Sequence, residues 1–284
     1  MITVLESINL SAKYLARKGI ESSRTNAELL LADILGCKRL DLYLSFDKPL
    51  GSQEIEKYRE FIKRRGNFEP LQYITGKVEF YGLELMVNSS VLIPRPETEL
   101  LVENILNVLP KEGEFTILDI GCGSGNIAIA LAVNLVLSKF ICTDNRDDAL
   151  LVAKENAEKY SVEGKIKFKN HNILKEDLNN FPQIDIIVSN PPYVSRENFK
   201  SLQKEIKDFE PKSAVTDDGD GYTFFREISG KALNKLKEGG RLFFEISEGQ
   251  SVGVKEIMKK NNFINIRVIK DYQNIVRIIS GEVN

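Results

Sequence analysis

A single histidine, His171, stands in the whole chain of 284 residues, and the three cysteines, Cys37, Cys122 and Cys142, are odd in number and widely spaced without a Cys-x-x-Cys. Neither a disulfide scaffold nor a His/Cys zinc site is expected, and no metal is assigned. A lone histidine among polar neighbours, with no nucleophile motif near it, also argues against a Ser/His or Cys/His triad. His171 reads as a solvated strand-end residue. Excess positive charge is missing too. The formal net charge is −2, so no basic field points to bulk duplex DNA or an anionic membrane. Long apolar runs are equally absent. The most apolar stretch, residues 127–137, falls far short of a bilayer span, and residues 1–30 show helical alternation without a signal-peptide core. A cytosolic location is expected, with no membrane partner.

What is present is the balance of a globular chain, 42% hydrophobic and 28% charged, and its length suits two domains or one large α/β domain with an appendage. Residues 1–74 carry only helical signals. Thr3-Val-Leu-Glu6 and Thr25-Asn-Ala-Glu28 both fit a capping box, in which a hydroxyl caps a backbone N–H and the glutamate reaches back. Leu5, Ile8, Ala12 and Leu15 form one stripe before Gly19, and Leu29, Leu30 and Ile34 another before Gly36. A third helix is predicted over residues 53–65, with Ile55, Tyr58, Phe61 and Ile62 inward and Gly66 as its stop.

Between residues 75 and 92 the period changes to alternation around Tyr81-Gly82, as in a β-hairpin, which reads as a linker. Residues 93–284 then alternate short apolar strands with helical segments. Strands are predicted at 116–120, 140–143, 184–189 and 242–246, helices at 97–109, 147–160 and 222–237, and a closing antiparallel pair at 264–269 and 275–279. Strand, crossover helix and strand in repetition give an α/β fold with a doubly wound, mostly parallel sheet.

The strand ending at Ile120 runs into Gly121-Cys122-Gly123-Ser124-Gly125-Asn126 and then a helix. Such a loop lets backbone approach a ligand at the carboxyl end of the first strand of the sheet. No Gly-Lys-Ser/Thr follows, so the loop suits a nucleoside without a phosphate chain. Asp144 closes the next strand, where a carboxylate accepts hydrogen bonds from both ribose hydroxyls. Cys122, between glycines, reads as a small apolar residue. Further on, Asn190-Pro191-Pro192-Tyr193 ends another strand. The prolines stiffen an extended turn. The Asn190 side-chain carbonyl and the Pro191 main-chain carbonyl then stand side by side, a match for the two N–H donors of a planar amino or amide group, and Tyr193 offers an aromatic face.

These strings resemble the class I S-adenosylmethionine-dependent methyltransferases, and among them the release factor glutamine methyltransferases, the PrmC or HemK family. The resemblance runs through Glu69-Pro-Leu-Gln-Tyr-Ile-Thr-Gly76, Leu92-Ile-Pro-Arg-Pro-Glu-Thr-Glu99, Asp119-Ile-Gly-Cys-Gly-Ser-Gly125, Val188-Ser-Asn-Pro-Pro-Tyr193 and Asp218-Gly-Asp-Gly221. It implies a seven-stranded Rossmann-like methyltransferase sheet, a helical substrate-recognition domain over residues 1–74, and the catalytic domain over 93–284. It further implies S-adenosylmethionine as cofactor, held by Gly121, Cys122, Gly123, Ser124, Gly125, Asp144 and Asn190. Asn172 and Ile173 fall where the family surrounds the adenine, although the family commonly has an acid and a bulky aromatic there. Ser247 and Asn274 also depart from usual glycines. Arg95, Glu97 and Thr98 fall near the methionyl end by the same analogy, while Glu97 equally suits a first-turn helix acid.

The implied reaction is methylation of the side-chain amide nitrogen of glutamine in the Gly-Gly-Gln motif of class I peptide chain release factors, with Asn190, Pro191, Pro192 and Tyr193 as catalytic residues. Two other readings stand beside it. An N6-adenine methyltransferase uses the same Asn-Pro-Pro-Tyr clamp on a flipped base, but the net charge and the lack of a basic module argue against stable nucleic-acid binding. A non-catalytic module that docks on translation factors is opposed by the completeness of both motifs.

Overall fold

The computed structural model describes residues 2–284 and divides into two compact units. One runs up to Lys77 and takes in Gln203–Phe209; the other comprises Val78–Leu202 and Glu210–Asn284. The first unit is helical, with helices Val4–Arg17, Ser23–Leu35, Ser52–Gly66 and Leu71–Thr75 and a 3-10 turn at Arg39–Leu44. The Thr3 capping box forms as expected, the Thr3 hydroxyl accepting from the Glu6 amide and the Glu6 carboxylate from the Thr3 amide. The second expected box does not. That helix starts earlier, at Ser23, and the Glu28 carboxylate turns inward to accept from Arg24 Nε at 2.9 Å and the Tyr43 hydroxyl at 3.0 Å. The buried stripe is correspondingly Ala27, Leu30 and Leu31, while Leu29 stays 38% exposed. Gly66 is the last helical residue, and a Cβ there would meet the Tyr14 ring at 2.7 Å.

The sequence pattern assigns residues 203–209 to the large domain, but the six-residue helix Lys204–Phe209 groups with the helical unit. Arg65 explains this. It is only 5% exposed, and its guanidinium donates to Asn26 Oδ1, the Glu69 carbonyl and Glu205 Oε1. The Lys204 ammonium lies 4.7 Å from the Phe68 ring centroid, a cation–π contact on the same segment.

A hairpin of β1 (Lys77–Phe80) and β2 (Leu83–Met86) follows, all but Lys77 belonging to the second unit. Tyr81 and Gly82 both take positive φ, the conformation a two-residue hairpin turn needs. Phe80 and Leu85 are fully buried in the unit's core, so the hairpin is anchored there by its apolar face.

The main sheet contains β3 (Thr116–Ile120), β4 (Lys139–Asp144), β5 (Ile166–Asn170), β6 (Ile184–Ser189), β7 (Leu236–Glu245), β8 (Ile264–Lys270) and β9 (Val276–Glu282). Its order is β5-β4-β3-β6-β7-β9-β8, parallel except for β9, which runs antiparallel to both neighbours. Alternate residues feed two apolar layers. Ile117, Phe140, Cys142 and Phe243 join the helices Pro96–Val108, Asn126–Asn134 and Asp147–Lys159, whereas Leu118, Ile141 and Phe244 join Thr223–Ala232 and Ser251–Lys260. The helix predicted over 222–237 stops at Ala232, because Leu236 already pairs with Ile184 in the sheet. After β5 the chain crosses to the other side of β3, which makes the carboxyl ends of β3 and β6 the switch point of the sheet. No helix among the described residues is long and apolar enough to cross a membrane.

Candidate active site

A cavity of about 960 Å³, counted to its open mouth, lies at that switch point. The loop after β3 supplies one wall. Gly121, Gly123 and Gly125 all take positive φ, which excludes ordinary side chains on backbone grounds. A Cβ at Gly121 or Gly123 would meet nothing within 4 Å, so the loop leaves open space beside its backbone. Gly125 has another role. It sits at the start of the helix Asn126–Asn134, and a Cβ there would run into Ile129 and Ala153. Gly121, Cys122, Gly123 and Ser124 line the cavity, whereas Gly125 does not. The neighbouring Cys142 sulfur and burial raise the Cys122 thiol well above its usual range, so it stays protonated and packs as an apolar group.

Asp144 ends β4 and reaches across to the loop. Its Oδ2 accepts from the Gly123 amide at 3.0 Å and its Oδ1 from the Arg146 amide at 3.1 Å. Each oxygen retains further acceptor capacity. Burial pushes this carboxyl up, and the Gly123 and Arg146 amides oppose the shift. Asn172 and Ile173 line the cavity beyond β5. Asn172 Oδ1 already accepts from the Leu174 amide, so the Asn172 side-chain nitrogen is its remaining donor.

His171 lines the cavity as well and corrects the sequence reading. It is buried at 4% exposure, packed edge-on against Phe181 with ring centroids 5.1 Å apart. Desolvation lowers its pKa, which favours the neutral ring. Burial rather than the loss of polar neighbours is the correction, since the Glu176 carboxylate still lies 3.5 Å from its Nδ1.

The opposite wall is the turn after β6. The Ser189 hydroxyl donates to the Ile120 carbonyl at 2.7 Å, tying the ends of β6 and β3 together. Asn190, Pro191 and Pro192 line the cavity. Tyr193 does not. Its hydroxyl donates to Glu245 Oε1 at 3.2 Å, and its main-chain carbonyl accepts from the Gln250 side chain. Gln250 also donates to the Gly221 carbonyl, and a Cβ at Gly221 would come within 2.6 Å of the Tyr193 carbonyl oxygen. The Asp218-Gly-Asp-Gly221 string is thus the backing of the turn, with Asp217 accepting from the amides of Gly219, Gly221 and Thr223.

Several further groups reach the cavity without a signal in residue pattern, Arg95 and Thr98 having been placed near it only by the family resemblance. Ser90, Val91, Leu92 and Pro94 join the lining from the segment after the hairpin, and Phe224 from the helix Thr223–Ala232. Arg95 lines it while paired with the buried Glu210 at 2.5 Å. Thr98, at the start of the helix Pro96–Val108, accepts from the Asn190 side-chain nitrogen at 3.2 Å and donates to Glu245 at 2.6 Å. Glu97, weighed beside it, is a first-turn acid of that helix.

Residues 6–76 match the PrmC N-terminal domain family, and residues 96–208 the methyltransferase small domain family. The release factor glutamine methyltransferase of Geobacter sulfurreducens is 37% identical over 281 residues, covering 99% of this chain and 97% of its own length. The protein of that name from Bacillus subtilis is 35% identical over 284 residues, covering 98% and 97%. The chain belongs to the release factor glutamine methyltransferase family. Among solved structures, the hMettl16 catalytic domain superposes with a TM-score of 0.56 at 15% identity, covering 82% of each chain, a likeness of fold.

As a member of this family the chain is an enzyme, a methyltransferase whose cofactor is S-adenosylmethionine. The cavity suits that group. Its size is that of a nucleoside-bearing ligand. Glycine backbone leaves room at one wall, and the Asp144 carboxylate on the same cavity keeps spare acceptor capacity.

Proposed function

We propose that this chain methylates the side-chain amide nitrogen, N5, of the glutamine in the Gly-Gly-Gln motif of class I peptide chain release factors. The observation that carries this reading is the pairing of Asn190 with Pro191 on the cavity wall opposite the glycine loop, two carbonyl acceptors in one rigid turn. When bound, S-adenosylmethionine supplies an electrophilic methyl group. Gly121, Cys122, Gly123 and Ser124 would form its cradle, with Gly125 closing the loop behind them against Ile129 and Ala153, Asp144 would receive its ribose hydroxyls, and Asn172 and Ile173 would border its base.

An amide nitrogen is a poor nucleophile, because its lone pair is delocalised into the carbonyl. Hydrogen bonds from the substrate NH2 to Asn190 Oδ1 and to the Pro191 carbonyl raise electron density on nitrogen and hold it in one orientation. Pro192 keeps the turn extended. Tyr193, outside the cavity lining with its phenol engaged by Glu245, supports the turn rather than touching the substrate. No strong base is demanded. Once alkylated the nitrogen is acidic, and water removes its proton.

The helical unit is the proposed recognition element for the release factor, since it contains no part of the glycine loop or of the Asn-Pro-Pro-Tyr turn. The test is methyl transfer from labelled cofactor to a purified class I release factor. One label on the Gly-Gly-Gln glutamine is expected, and none on a factor carrying alanine there. Full labelling of that variant, or of adenine in DNA, overturns the reading.

A further inference from the structure

Behind the Asn-Pro-Pro-Tyr turn lies a buried polar chain that neither cofactor binding nor the two carbonyl acceptors require. Glu245, the last residue of β7, is 2% exposed. Its Oε2 accepts from the Thr98 hydroxyl at 2.6 Å and its Oε1 from the Tyr193 hydroxyl at 3.2 Å. Thr98 is itself buried, and its oxygen accepts from Asn190 Nδ2 at 3.2 Å. All the donors therefore point toward the carboxylate. A hydroxyl has one proton. While the Thr98 hydroxyl donates its hydrogen to Glu245, its oxygen can only accept from elsewhere, so Asn190 must turn its nitrogen inward.

We infer that Glu245 and Thr98 are positioning residues that set the sense of this hydrogen-bond chain, so that Asn190 presents its oxygen, and not its NH2, to the substrate amide. The inference rests on the proposed role of Asn190 as acceptor and adds a reason for its selectivity. An oxygen in that place accepts from an amide NH2, whereas an NH2 there would oppose it. Burying a carboxylate is costly unless its oxygens are hydrogen-bonded. Here both are, by side chains that also shape the site.

Reversal of the chain follows from the same geometry. A protonated Glu245 donates a hydrogen bond to Thr98 Oγ1, the Thr98 hydroxyl then donates to Asn190, and the Asn190 amide turns its NH2 outward. Thr98 and Glu97 face Glu245 from the helix Pro96–Val108, Tyr193 from the turn and Arg277 from β9. Burial is the largest influence and Glu97 adds to it, while the two hydroxyls and Arg277 oppose; the result is a carboxyl pushed up to about 7.

The experiment measures kcat and KM of the full chain on a release factor from about pH 6 to about pH 8. Wild-type kcat should fall on the acid side as Glu245 protonates. Thr98→Val, equal in shape but without the hydroxyl, should lower kcat by about tenfold to a hundredfold and leave cofactor affinity within about threefold. Thr98→Ser should restore most of that loss. Glu245→Gln keeps an acceptor oxygen for Thr98 but does not titrate, so the acid limb should vanish, and its kcat should exceed that of Glu245→Leu. Wild-type kcat in Thr98→Val alongside an inactive Asn190→Ala would refute the relay and leave the Asn190 reading standing. Wild-type kcat in Asn190→Ala would instead remove that reading itself. If the valine and leucine variants fail to fold, the glutamine variant decides: an acid limb that persists in it overturns the inference.

Discussion

Asp144→Ala is the perturbation that tests the cofactor cradle most directly. In the structure the Asp144 carboxylate accepts two backbone amides, Gly123 at 3.0 Å and Arg146 at 3.1 Å. Its remaining acceptor capacity is assigned to the two ribose hydroxyls. A hydrogen bond to a charged acceptor contributes about 1.5 to 3 kcal/mol. Losing two should therefore cost about 3 to 6 kcal/mol, which is about a hundredfold to ten-thousandfold in Kd. Loosening of the loop at Gly123 acts in the same direction. Asp144→Asn is not a neutral control. Both of its side-chain positions face an N–H, so its NH2 must oppose either Gly123 or Arg146, and a loss smaller than for alanine is expected. Calorimetric titration with S-adenosylmethionine and S-adenosylhomocysteine measures this, with NAD as a ligand that should produce no heat. A folded Asp144→Ala protein that binds within about twofold of wild type would remove the residue from the site.

Three further perturbations probe the supporting structure. Asp119 is 1% exposed, and burial pushes its carboxyl up to about 7, with Ala128's amide opposing and Asp144 adding to the shift. That value lies above the unfolded one of about 3.9, so the folded state takes up the proton and stability declines as pH rises from about 4 through about 7. Asp119→Asn should flatten this decline, gaining on the order of a few kcal/mol near pH 8 in denaturant titrations; the slope left over belongs to Glu245 and Asp144, whose carboxyls burial also raises, and an unchanged slope would count against the assignment. Gly221→Ala places a Cβ against the Tyr193 carbonyl at φ +85°. The left-handed backbone alone costs about 1–2 kcal/mol, and kcat should fall more than cofactor affinity; wild-type kinetics would show that the turn tolerates displacement. Arg65→Met strands Glu205 and Asn26 and should cost on the order of 2 kcal/mol of unfolding free energy, whereas a loss under about 0.5 kcal/mol would mean that water replaces the ion pair.

How far the chain could be read before folding depended on how local each signal was. The strands at Thr116–Ile120 and Ile184–Ser189 stand where their apolar runs predict, since each is short, continuous and buried on both faces. Ile166–Asn170 carries no such run. Its Lys-rich pattern buries only Ile166, and its place at the edge of the sheet explains why so polar a strand survives. The helix over 222–237 overran for the opposite reason: residues 233–237 continue its apolar spacing, but pairing with β6 takes Leu236 into the sheet. Spacing places Leu29 inward, but Ala27, Leu30 and Leu31 form the buried face of that helix and leave it exposed.

By itself the sequence determined the features that backbone stereochemistry encodes in neighbouring residues. The positive φ values of Gly121, Gly123 and Gly125, the two-residue hairpin turn at Tyr81-Gly82 and the proline-stiffened exit after Asn190 each depend on residues within a few positions of one another. Tertiary structure alone decided which distant side chains meet. Thr98 and Glu245 are 147 positions apart, Asn190 and Thr98 92, and Arg65 and Glu205 140. His171 lies among polar residues in the chain and against Phe181 in the fold. A hydrogen bond or an edge-on ring contact between such residues leaves no periodicity for sequence to display, because its energy depends on distance and desolvation, and both are set only when the strands pair and the layers close.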